Sequence, residues 1–175
     1  MHLANLDAAT RNRMLDEINR DIAGDALYIS PRLSERGRRD YPSLLLAAVE
    51  NGDAASLAAE LRVPGRLNAM ETATRNGKTF TKQVPVNAPE TMAEGEFNRF
   101  YARGLCLRAM EEGLQEVIVY RAKDVASPRP ESDAKIGAAV NAAGLLDDLR
   151  ARIGVEPALG IPPGPGSGLS VRLPT

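Results

Sequence analysis

Tryptophan is absent from these 175 residues, phenylalanine occurs three times and tyrosine four times. A core must therefore rest on Leu, Ile, Val, Met and Ala, which suits helices packed on a modest sheet. Cysteine occurs once, at Cys106. That excludes an intrachain disulfide and fits a reducing compartment. Histidine also occurs once, at His2, so a Ser-His-Asp or Cys-His arrangement would have to use that residue. There is no CxxC or HxxxH pair, so the spacing for a zinc site is missing. No apolar run approaches the roughly 18 residues of a membrane span. The stretch from Met1 to Asp7 has neither a basic nor an apolar signal region. The expectation is no membrane, and a protein that is cytoplasmic when made. Net charge is −1, which gives no global bias toward nucleic acid. Lysine is scarce, 4 against 18 arginines. Arginine favours bidentate pairing with carboxylates or phosphates, although GC-rich codon usage gives the same ratio.

What is present reads as an α+β chain with one long helix. Asp7 is a candidate N-cap for a helix running to about Ala23, with Met14, Leu15, Ile18 and Ile22 on one face. Ser30 to Asp40 is polar, holds Arg32, Arg36, Arg38 and Arg39, and reads as a loop. Asp40 then caps a second helix with Pro42 in its first turn, and Asp53 caps a third. Residues 44–53 look like one ankyrin helical hairpin, but a lone repeat cannot bury its face, so an ordinary helical hairpin is expected.

Glu71 to Arg75, Asn76-Gly77 and Lys78 to Lys82 form the cleanest turn signal. Asn-Gly is the preferred type I′ turn and sets Arg75 opposite Lys78, Thr74 opposite Thr79, Ala73 opposite Phe80 and Glu71 opposite Lys82. One face is nearly all Thr, and the other offers only Ala73, Phe80 and Val84 as apolar content. A hairpin with so little to bury must lean on its own domain, a neighbouring subunit or a ligand.

Asn87-Ala88-Pro89-Glu90 fits a capping box, and the long helix runs from about Pro89 to Glu112. At 100° per residue, Phe97, Phe100, Tyr101 and Gly104 share a face, with Cys106 and Arg99 opposite. Gly104 in that face calls for close approach of another backbone. Arg108 also falls on it and is expected to snorkel or pair with a carboxylate. Glu116 to Ala122 reads as a central strand, its Val117-Ile118-Val119 run suggesting burial on both faces. Ser127-Pro128-Arg129-Pro130 is a stiff loop, and Asn141 caps a last helix with Leu145, Leu146 and Leu149 inward. From Pro157 on, prolines and glycines exclude a helix, while Leu169, Val171 and Leu173 alternate with polar residues. The expected organisation is one domain over 1–156, with a hairpin arm at 69–84, and a tail over 157–175. That tail docks in cis or by strand addition on a neighbour.

Chemistry is sparse. Gly164-Pro165-Gly166-Ser167-Gly168 lacks the Lys-Ser/Thr of a phosphate loop and reads as a strap. The pairs Glu111-Glu112 and Asp147-Asp148 point in different directions on a helix and make no dyad. Tyr120, Arg121 and Lys123 are similar to the Lys-bearing strand of metal-dependent nucleases, but Arg121 stands where the metal-binding Glu is required. Cys106 reads as a packing thiol. No cofactor, metal or small-molecule ligand is expected.

The segment from Glu94 to Cys106 resembles a stretch of uncharacterised bacterial proteins, some encoded near prophage genes. The hairpin, long helix and strand are similar to the extended loop and spine helix of phage capsid folds. These resemblances imply a phage-head accessory or capsid-associated component, housed within the particle, and no activity. The leading expectation is a non-enzymatic interaction protein, a subunit of a homo-oligomer or an accessory of a larger particle. Its interaction residues would be Arg75, Lys78, Phe80, Lys82, Leu169, Val171 and Leu173. The alternative is a nucleic-acid-binding or regulatory protein using the hairpin and the Arg loop. A third reading is an enzyme built around Arg99, Arg103 and Tyr120.

Overall fold

A helix of 24 residues, α4 (Ala88–Glu111), forms the axis on which the other elements pack. The computed structural model describes residues 1–155, 157–162 and 165–174. Gly164 of the strap therefore lies outside the described residues, as do Glu156, Pro163 and Thr175. The class is α+β. Ahead of α4 come α1 (Ala8–Ala23), α2 (Glu35–Asn51), α3 (Ala54–Leu61) and a hairpin of β1 (Met70–Arg75) and β2 (Lys78–Gln83). After it come β3 (Glu116–Arg121), the short α5 (Pro130–Asp133), β4 (Ala139–Asn141), α6 (Ala142–Ala151) and β5 (Leu169–Arg172).

The local caps are those the sequence specifies. Asp7 accepts from Thr10 N, Asp53 and Ser56 form a reciprocal box, and Asn141 accepts from Gly144 N. Two helix starts differ from expectation. Ser34, not Asp40, caps α2 by accepting from Gly37 N, so Arg36, Arg38 and Arg39 lie on a helix and not in a loop. Residues 65 and 66 fasten that first turn: Ser34 N donates to Arg66 O (3.0 Å) and Ser34 Oγ to Gly65 O (2.6 Å). Pro42 then sits inside the helix. The carbonyl it leaves without an N–H belongs to Arg38, an exposed residue, so water can serve it. At α4, Asn87 makes no side-chain cap, because its backbone (φ −91°, ψ 12°) already approaches the helical region. Glu90 pairs with Arg62 instead.

α4 is surrounded by α1, α3, α6, β3 and β5, so every residue from Phe100 to Cys106 is buried. Cys106, expected opposite the aromatic face, is as buried as Phe97, and burial pushes its thiol up to about 12. A methyl group on Gly104 would lie 2.8 Å from Met14 N and 3.1 Å from Thr10 O, so α1 and α4 meet there backbone to backbone. Arg108 Nη1 reaches Asp7 Oδ2 and its Nε reaches Glu112 Oε1, both at 2.7 Å. Ile22, placed on the inner face of α1 by its spacing, is 40% exposed.

The main sheet is antiparallel in the order β4-β3-β5. Val117 pairs with Val140 and Val119 with Val171. Val117 and Val119 are buried, whereas Ile118 and Tyr120 are half-buried. The sheet therefore has one fully covered face, where the apolar run suggested two. The first residues cross the other face: His2 N donates to Ala122 O (2.6 Å), and Tyr120 Oη donates to His2 O and accepts from Ala4 N (both 2.9 Å). The C-terminal segment docks in cis. Leu169 and Val171 sit in the same core cluster as Phe97 and Leu145. Asn98 of α4 clamps β5, donating to Leu169 O (2.9 Å) and accepting from Ser170 Oγ (2.6 Å).

Candidate functional site

The hairpin has the register its turn dictates, Arg75 opposite Lys78 through Glu71 opposite Lys82. Asn76 and Gly77 both take positive φ (50° and 73°), as a type I′ turn requires. Every residue of β2 is exposed, and in β1 only Glu71 and Ala73 are half-buried. Phe80 is 44% exposed. The two strands pack mainly on each other. The arm is tied down at its base, where Arg32 Nε donates to Glu71 Oε2 (2.5 Å) and Lys82 Nζ lies 3.2 Å from Glu71 Oε1. Arg32's hydrogen bond, aided by Lys82, holds the Glu71 carboxyl below its ordinary value. Arg75 and Lys78 are exposed at the tip.

A cavity of about 780 Å³ lies beneath the arm's base. Its walls come from residues 28–32, α2, Asn68 and β1, α4, Arg129 and the segment following α6. The hydroxyl of Tyr41, a residue 2% exposed, has no hydrogen-bond partner among the described residues, and the half-buried Glu96 carboxylate and Tyr28 hydroxyl and the exposed Thr72 and Arg129 side chains also make no hydrogen bond or ion pair there. Several other polar groups are engaged. Arg99 donates to Arg152 O (2.5 Å), Val155 O (2.7 Å) and Leu149 O (3.4 Å), capping the end of α6. Asn98 holds β5, and Asn68 Nδ2 donates to the carbonyls of Pro31 (3.1 Å) and Leu33 (3.2 Å). Burial pushes Glu96 up to about 7, with Asp21 adding and the charges of Arg99 and Arg103 opposing. Burial, then the Glu96 charge, then Tyr28 raise Tyr41 well above the usual phenol range.

This gives a pH-dependent expectation. An unfolded Glu96 loses its proton near pH 4.5, the folded one near pH 7. The folded state therefore loses stability relative to the unfolded state as pH rises through that window, and the penalty is complete above it. Glu96→Gln should leave Tm unchanged at pH 4 and raise stability by about 1–3 kcal/mol at pH 8. Calorimetry at both pH values checks this; an equal effect at both excludes the titration as its cause.

A third cluster of charge is fully internal. Arg103 Nε donates to Glu17 Oε2 (2.7 Å), while its Nη1 and Nη2 reach the two Asp21 oxygens (2.6 and 2.8 Å). Arg150 closes on Glu17 from α6. Burial would raise the Glu17 carboxyl, but Arg150 and Arg103 outweigh it and hold that carboxyl low. The guanidinium of Arg103 also stacks 4.8 Å from the Phe100 ring centroid.

The structure thus separates the sequence-derived site residues. Arg75, Lys78, Phe80 and Lys82 share the exposed arm, whereas Leu169 and Val171 are core and Leu173 is half-buried. Arg99, Arg103 and Tyr120 are each engaged in holding the fold together and do not converge on one cavity. The cavity and the ionic cluster were missed. For the cluster a signal existed: at 100° per residue Glu17 and Asp21 fall within about 60° of Met14, on the inner face of α1. Among the described residues no helix is long and apolar enough to cross a membrane, and no group of three or more His, Cys, Asp or Glu is placed to hold a metal. No protein-family model, curated protein or solved structure matches this chain.

Proposed function

We propose that this protein is a non-enzymatic interaction subunit that associates with further copies of itself through the hairpin arm. The carrying observation is a two-stranded ribbon in which only Glu71 and Ala73 are half-buried and every other strand residue is exposed, since such a ribbon is marginal unless something covers it. Both of its strands are sheet edges with unpaired backbone groups. Charge supports a second copy as the occupant. Residues 69–84 hold three bases (Arg75, Lys78, Lys82) and one acid (Glu71), so in a chain of −1 overall the remainder carries −3. The arm of one copy and the body of another therefore attract. The same arm would seat the protein on a larger particle of acidic subunits. The basic tip also favours a second reading, in which the ribbon enters the major groove of a duplex and its bases track phosphates.

Light scattering on the full chain tests this. Self-association is expected at about 100 µM, weakening from 50 to 500 mM salt, with the pair Lys78→Glu and Lys82→Glu reducing it by about tenfold or more. A monomer at all salts overturns the reading. Duplex DNA binding that falls steeply with salt and disappears in the same variant would transfer the arm to nucleic acid.

A further inference from the structure

We propose that the cavity beneath the hairpin's base is a binding site for a small organic amine, its ammonium group set against the Glu96 carboxylate and the Tyr41 hydroxyl. The inference does not depend on how the arm is used. The cavity's volume, about 780 Å³, falls in the range of small-molecule sites, roughly 300–1,000 Å³. Buried polar groups are almost always paired, so an unpartnered hydroxyl on a 2% exposed tyrosine requires a partner that the described residues do not supply. Glu96, half-buried in the same lining, accepts no hydrogen bond from the described residues.

The class of ligand follows from the two groups set innermost, Tyr41 and Glu96. Arg32 is bound to Glu71, Arg99 is spent on three carbonyls, and the Asn68 and Asn98 amide nitrogens already donate to the backbone. The acceptor left over inside is a carboxylate, and the remaining hydroxyl both donates and accepts. A cation with two or three N–H donors satisfies both, whereas an anion would leave Glu96 unpaired and, among the described residues, would have only the exposed Arg129 as a lining cation not already engaged. The ligand's body would lie along an apolar wall containing Met70, Met92, Pro31 and Val155, with the Tyr28 ring beside it. Thioethers favour an aromatic body there. Gly154 brings the segment after α6 directly onto the Tyr28 ring, where a side-chain carbon would lie 2.4 Å from the ring atoms. That contact fixes one wall of the cavity.

Three probes of one shape separate the chemistry: 2-phenylethylamine, 3-phenylpropionate and 2-phenylethanol, titrated into the full chain and followed by backbone amide shifts. The amine is expected to saturate with Kd near or below about 1 mM, with shifts confined to cavity residues. Propionate should bind at least about tenfold more weakly, and the alcohol should fall between them. Glu96→Gln should weaken the amine by about tenfold, and Tyr41→Phe by several-fold. Retained melting of each variant separates lost binding from lost fold. No saturation by about 10 mM, tighter binding of the propionate, shifts away from the cavity, or unchanged affinity in Glu96→Gln each overturns the proposal. A cavity that holds water alone gives the first of these results.

Discussion

Arg103→Met should cost about 3–5 kcal/mol of stability, the usual penalty for removing one partner of a buried ion pair. Arg103 and Glu17 are 1% and 2% exposed, and Asp21 2%. The methionine keeps much of the side chain's volume over Phe100, so the loss would be electrostatic. Glu17 would retain Arg150, but Asp21 would be left with Arg20 at 3.4 Å, a side chain more than half exposed. An uncompensated carboxylate in that position is what makes the change expensive. Replacing the cluster together, with Glu17→Leu and Asp21→Leu added to Arg103→Met, should recover most of the loss, because an apolar core needs no partner for a charge. The pH dependence has a defined sign. Glu17 is held low in the folded state, so its contribution is present above the unfolded carboxyl's titration and fades as pH falls through the folded value. The cost of Arg103→Met should therefore shrink toward pH 3. Urea unfolding at pH 7 and pH 3 measures both; a cost under about 1 kcal/mol at pH 7 would mean that the cluster does not hold α1 against α4.

Gly104→Ala is the second large effect, and helix propensity alone predicts the opposite sign. Alanine in place of a mid-helix glycine gains about 1 kcal/mol in an exposed helix. Here the new carbon would sit 2.8 Å from Met14 N and 3.1 Å from Thr10 O. The Met14 side chain can swing away, but the α1 backbone cannot move without opening the core around Ile18 and Leu105. A net loss of about 1–3 kcal/mol is expected, as for other overpacked cores, and Gly104→Val should lose more. Gly144→Ala is the control. Its new carbon would meet Asn141 Oδ1 at 3.4 Å, an ordinary contact, so propensity should prevail and stability should rise slightly. Thermal melts of the two alanine variants should move in opposite directions.

The features legible in the sequence were those that local chemistry decides. The Asn76-Gly77 turn sets the hairpin register, and Asp7, Asp53 and Asn141 cap helices within three residues of themselves. Gly104 could be read because a glycine set among Phe97, Phe100 and Tyr101 leaves a gap in a packing face that a second backbone fills. The start of α2 was hidden because what anchors Ser34 lies some thirty residues away, at Gly65 and Arg66. The docking of β5 depends on Asn98 and β3, both far off in the chain. The cavity is harder still. Tyr28, Tyr41, Glu96 and Val155 come from four separate segments, and no periodicity within any one of them marks a shared wall.

The place of β5 has a consequence for how the protein is made. Val119 and Asn98 wait for partners that emerge from the ribosome only after α6 has been completed. Until then one side of β3 presents free backbone groups next to an apolar face, a template for pairing with another nascent chain. The helical half, α1 to α4, can begin to pack while synthesis continues, because all of its residues precede β3 in the chain. Closure of the sheet is a late event, and the yield of folded protein should depend on how soon residues 169–172 arrive.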